Sequence, residues 1–128
     1  MSDQSTVVDN SHSLMNVPSN PIAYIAILTA LISAAIHLFL APKVIGFDQT
    51  TGLLFVLNGL GFIGGILVFL TRYWRREFYL VAVGYALATI VAFFAMGGPT
   101  NMLSISSKIA EAVLALAATY LYLSTNTA

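Results

Sequence analysis

Four side chains able to do chemistry interrupt otherwise apolar stretches of this sequence: His37, Asn58, and the pair Lys108 and Glu111. An imidazole titrates near neutrality, binds metals and relays protons. A carboxamide both donates and accepts hydrogen bonds but never ionises. Lys108 and Glu111 stand three residues apart, about one helical turn, so they can pair on one face after the serine-rich lead of Ser104, Ser106 and Ser107. Glu111 also falls near the positive end of its helix, which favours the ionised form.

Counted from the ends of the apolar stretches, His37 lies about four residues in, Asn58 about seven and Glu111 about six. At about 1.5 Å per residue all three are expected roughly 6–10 Å below one rim of a helical bundle. Polar groups sharing a layer find one another, because an unpaired group in hydrocarbon is expensive. Such a layer could be a structural network or a site for a proton, a metal or a quinol headgroup. As a metal site it is poor, with one His and one Glu from a single chain. As a b-type haem site it is poorer, since only one His falls within an apolar stretch. The third stretch adds only Tyr85 and Thr89 as buried polar groups. No set of nucleophile, base and orienting residue is present, and no chain of acids crosses the sequence as a proton pump would need. No enzyme activity and no cofactor is expected.

Two further signals carry no such chemistry. Gly59-x-Gly61-x-x-Gly64 matches the dinucleotide-binding string, but that motif needs a preceding strand and an aqueous phosphate pocket, and here it sits inside an apolar stretch. There is no cysteine, so disulfides, thiolate metal sites and thiol catalysis are excluded.

The elements that must position these residues are plain. Apolar stretches run roughly 21–41, 51–71, 78–96 and 105–123, each about long enough as a helix to cross the roughly 30 Å hydrocarbon core of a bilayer. Of the 128 residues 59% are hydrophobic and 8% charged, far below the roughly 25% charged residues of a soluble domain. The net charge is zero, so nucleic acid is not an expected partner. The expected fold is an all-α membrane protein, four transmembrane helices in an up-down-up-down bundle with short loops.

Asn20 and Pro21 suit the start of the first helix, and Pro42 is expected to end it at Ala41. Asp48 or a following Thr is expected to cap the second helix, and Gly97-Gly98-Pro99 to stop the third. Residues 1–20, without Lys or Arg, read as a flexible polar tail in which His12 is solvated; residues 124–128 form a short C-terminal tail. The turn holding Arg72, Tyr73, Trp74, Arg75 and Arg76 faces only Lys43 and Lys108 on the other side. Its tight positive cluster assigns that turn and both termini to the cytoplasmic face of the cell membrane, with the aromatic and Arg side chains as interface anchors.

Packing faces are also legible. Ala23, Ala26, Ala30 and Ser33 form a stripe of small residues that continues into His37, so His37 is expected to point inward. Gly61 and Gly65 form a GxxxG, with Asn58 one turn earlier on the same face, and are expected to take a close helix neighbour.

The segments AAIHLFLAP, GLLFVLNGLGFIGG, RYWRRE and SKIAEAVLALAATYLY, spanning Ala34–Tyr122, resemble a family of small archaeal four-helix membrane proteins of unknown function, most familiar from halophiles. The resemblance implies archaeal origin and the four-helix topology; it brings no activity and no catalytic residues. With more helix-packing devices than chemical groups, the chain is expected to be a non-catalytic accessory or assembly subunit of a larger membrane complex, or a homo-oligomer. Its partners would be lipid, other membrane subunits or a second copy. A redox-linked protein using His37, associated with quinol or haem, or a small transporter, are the alternatives.

Overall fold

The computed structural model describes residue 15 and residues 17–97 and 101–125; His12 and the Gly98-Pro99 stop lie outside them. Among these residues the chain forms four helices, α1 (Pro21–Phe47), α2 (Gln49–Phe69), α3 (Glu77–Ala95) and α4 (Met102–Ser124). All four are long and apolar enough to cross a membrane.

The helix ends follow local chemistry. Asn20 accepts from the Ile22 amide at 2.9 Å and Pro21 takes the first turn, where its missing N–H costs nothing. Helix α1 does not stop at Ala41: it continues through Pro42 to Phe47. Proline forfeits one bond to the carbonyl four residues back, a loss this helix tolerates. The true stop is Asp48, whose extended backbone (φ −148°, ψ 102°) ends α1 and begins α2. Its N–H closes on Val44 O at 2.8 Å, while its carboxylate accepts from the amides of Thr50 and Thr51 at 3.1 and 3.3 Å. One residue thus replaces the longer connection expected between the stretches 21–41 and 51–71. At the other end of α2, Met15 pairs with Thr71 in an isolated antiparallel bridge, and the Tyr24 hydroxyl donates to Pro18 O at 2.6 Å. The last residues before α1 therefore lie against the turn between α2 and α3.

Helix α1 packs on α2 and on α4, and α4 also packs on α3; α2 and α3 share no comparable interface. The small-residue stripe explains this order. Ala23, Ala26, Ala30, Ser33 and Ala34 are buried, and with side chains this short the neighbouring backbones come close. Gly52 and Gly59 do the same from α2: a Cβ at Gly52 would collide with Ile45, and one at Gly59 with Leu38.

The side chains of the Arg turn divide between packing and exposure. Trp74 packs inward, edge-on to Phe69, Phe78 and Tyr79 at centroid distances of 4.9, 5.4 and 5.2 Å. Tyr73 is exposed, with Arg72 over its ring. Arg76 donates from Nε to Tyr122 O at 3.1 Å and stacks on the Tyr122 ring, so its charge meets the negative end of α4. Arg75 is exposed.

Candidate functional site

All four helices meet in one polar cluster centred on Glu111, whose side chain is fully buried. A carboxylate can survive there only if its oxygens are satisfied. Oε2 accepts from the hydroxyls of Ser33 on α1 and, at 2.9 Å, Ser107 on α4. Oε1 accepts from Lys108 Nζ at 2.8 Å and lies 2.9 Å from Thr89 Oγ1 on α3, which also bonds Ala86 O. Lys108 balances the charge within one helical turn, so the cluster carries no net charge from this pair.

His37 stands one turn beyond Ser33. Its Nδ1 lies 2.8 Å from Ser33 O, which can only accept, so Nδ1 carries the hydrogen. Its Nε2 lies 3.0 Å from the amide nitrogen of Asn58, which can only donate, so Nε2 presents its lone pair. Both nitrogens are thus used by a neutral imidazole. The ring meets Glu111 at 3.9 Å and packs edge-on against Phe55. The Asn58 backbone carbonyl accepts from the Tyr85 hydroxyl at 2.9 Å.

The structure therefore brings together His37, Asn58 and Glu111, the three residues singled out in the sequence. Counted from the helix ends, they stand farther in than when counted from the ends of the apolar stretches. His37 is ten residues before the end of α1, and Asn58 and Glu111 each nine after the starts of α2 and α4. That is about 14 Å along each helix. The distance grows because the helices are longer than the apolar stretches: α1 overruns Pro42, and α4 begins at Met102 rather than near Ile105, taking the serine lead into the helix. The Lys108–Glu111 pair expected from the spacing forms and is buried, with 11% of the Lys side chain exposed.

Sequence reasoning treated Ser33 only as a small residue and Ser107 only as a helix lead. The signal was available, since each stands four residues before a partner, His37 and Glu111 respectively, on the same helical face. Among the described residues no group of three or more His, Cys, Asp or Glu comes together to hold a metal ion.

Because α2 and α3 do not pack together, a cleft separates them. Tyr85 bridges it, its hydroxyl seated at Gly61, where an added Cβ would collide with it. On one side of that bridge lies a cavity of 490 Å³, walled by apolar side chains including Leu54, Phe55 and Ala88 and floored by His37, Asn58 and Lys108. On the other lies a cavity of 370 Å³ lined by Gly64, Gly65, Trp74 and Ala82. Gly64 and Gly65 meet no neighbour within 4 Å, so the expected close contact at Gly65 is not made within this chain.

Among the described residues, four helices long and apolar enough to cross a membrane surround a buried charge pair. The chain belongs to the DUF7475 family, a family of unknown function whose model matches residues 8–122. No curated protein and no solved structure matches it.

Proposed function

We propose that this chain is a non-catalytic integral membrane protein that holds a lipid-soluble molecule in the cleft between α2 and α3. The observation that carries this is the 490 Å³ cavity with apolar walls over a polar floor, within the roughly 300–1,000 Å³ range of small-molecule sites. Both Glu111 oxygens and both His37 nitrogens are engaged within the cluster, which suits a rigid support better than a reacting centre. The up-down-up-down crossing of the cell membrane, with both termini cytoplasmic, follows from the Arg turn and its short loop. An archaeal origin rests on the resemblance of the segments within Ala34–Tyr122.

The test is to purify the protein in mild detergent, extract bound lipids and compare wild type with Ala88→Phe and Ala82→Phe, which fill the two halves of the cleft. A species enriched with wild type and depleted in both variants is expected. Equal extracts from all three proteins would end this assignment.

A second function is favoured by one observation. Gly64 and Gly65 leave a bare backbone strip along the cleft, where an added Cβ would meet nothing within 4 Å, and such strips accept another helix. An accessory subunit of a larger complex, or a homo-oligomer, would use it. Stoichiometric co-purifying subunits, or a dimer broken by Gly65→Leu, are then expected; a monomeric particle unchanged by Gly65→Leu would remove it. A redox-linked role through His37, or transport, finds no comparable support.

A further inference from the structure

The outer half of the cleft keeps hydrogen-bonding capacity that the four helices do not use. Lys108 Nζ donates to Glu111 and sits 5.2 Å from the Phe93 ring centroid, yet an ammonium has three hydrogens to give. Asn58 spends an amide hydrogen on His37 and its backbone carbonyl on Tyr85, which leaves its side-chain oxygen without a partner among the described residues. Both residues line the 490 Å³ cavity. One donor and one acceptor are therefore available at its floor.

Resting on the binding function proposed above, we infer that this cavity receives the oxygen-bearing head of an uncharged molecule dissolved in the bilayer interior, a quinone or an isoprenoid alcohol. Lys108 donates to that oxygen, and Asn58 Oδ1 accepts from a head hydroxyl where there is one. Three magnitudes select this class. Lys108 and Glu111 already cancel, so a charged head would arrive uncompensated in a low-dielectric site, which is strongly unfavourable. Asn58 stands nine residues after the start of α2 and Lys108 six after the start of α4, about 14 and 9 Å along those helices, whereas a phospholipid headgroup is held at the interface outside the roughly 30 Å core. A membrane-crossing helix, about 10 Å wide and 30 Å long, occupies roughly 2,400 Å³, several times what this cavity offers. Past Tyr85 the 370 Å³ apolar cavity continues the path, which gives a tail somewhere to lie.

The test uses the full chain in lipid nanodiscs. Trp74, the single tryptophan, lines the inner cavity, so a short-chain prenylated naphthoquinone is titrated against its fluorescence. Radiolabelled geranylgeraniol is measured separately by retention with the protein on gel filtration. Saturable binding of either is expected, and which of the two binds names the source of the head. Binding should weaken about tenfold in Asn58→Leu and in the charge-balanced Lys108→Met/Glu111→Gln, and be lost in Ala88→Phe. Ala88→Phe leaves the polar cluster untouched, so the test survives if the other variants fail to fold. Oleate competing as well as the neutral probes would overturn the neutral-head assignment. So would binding that Ala88→Phe removes but Asn58→Leu and the double variant leave unchanged, although cleft binding itself would stand. Failure of both probes, while a native lipid still co-purifies with wild type and not with Ala88→Phe, likewise overturns the head class alone.

Discussion

At the scale of single residues, one charge outweighs its neutral neighbours. Thr89 has one hydroxyl hydrogen for Ala86 O at 2.7 Å and Glu111 Oε1 at 2.9 Å, and hydrogen bonds between helices in a bilayer average only about 0.6 kcal/mol, so Thr89→Val should cost little. Removing Lys108 is different, because it leaves the fully buried Glu111 carboxylate without a counter-charge. Lys108→Met is expected to cost about 3–5 kcal/mol. Adding Glu111→Gln removes the stranded charge and should recover about 2 kcal/mol or more, a coupling read by a double-mutant cycle of unfolding in mixed micelles. Additive single effects would show that the pair does not act as a unit. The layer of His37, Asn58 and Glu111 could be read in the sequence because ionisable residues in apolar stretches are rare and costly. The hydroxyls that serve it were harder to see. Serine is common at helix starts and in small-residue stripes alike, and spacing alone does not say that Ser33 reaches across to Glu111.

At the scale of helices, glycines divide by what stands opposite them. Gly59 is closed in by Leu38 and the Ala34 carbonyl, whereas Gly65 faces open space. Gly59→Leu should therefore separate α1 from α2 and lower folded yield sharply, while Gly65→Leu leaves the isolated bundle as stable as wild type. Detergent chromatography with thermal unfolding distinguishes the two, and equal damage from both would contradict the packing described. The GxxxG pattern pointed to Gly61 and Gly65 because it records small residues without recording a partner. The cleft that leaves Gly65 bare is a property of the helix arrangement, invisible to a one-helix pattern.

The junction of α1 and α2 has its own test. The Thr51 hydroxyl, then the Thr51 amide, hold the exposed Asp48 carboxyl below its usual value near 3.8. A folded value below the unfolded one means that the cap's contribution is full above the unfolded value and fades as pH falls through the folded one. The difference in thermal midpoint between wild type and Asp48→Asn should be constant above about pH 5 and shrink below about pH 4. A difference that does not change across that window would show that the carboxylate is not the capping group.

For the whole molecule, the four spans were legible because a run of about twenty apolar residues fits little besides a membrane-crossing helix. The order of packing was not, since nothing in composition says that α2 and α3 stand apart. Orientation is the quantity that membrane chemistry alone decides. Cysteines placed at Ser2, Tyr73 and Gly98 should label from outside only at position 98. Labelling at 2 and 73 instead would invert the protein and place the cavity lined by His37, Asn58 and Lys108 in its cytoplasmic half.

Asp48 also fixes the rotational phase between two helices. It is the sole residue between α1 and α2 and ends one while starting the other, so no slack separates the two screws. One inserted residue would turn α2 by about 100° about its axis. That turn would carry Asn58 away from His37, Gly59 away from Leu38 and Gly61 away from Tyr85 together. The α1–α2 link should therefore keep its length even where the sequence around it drifts, because a change of one residue there is read by the cluster, the packing face and the cleft at once.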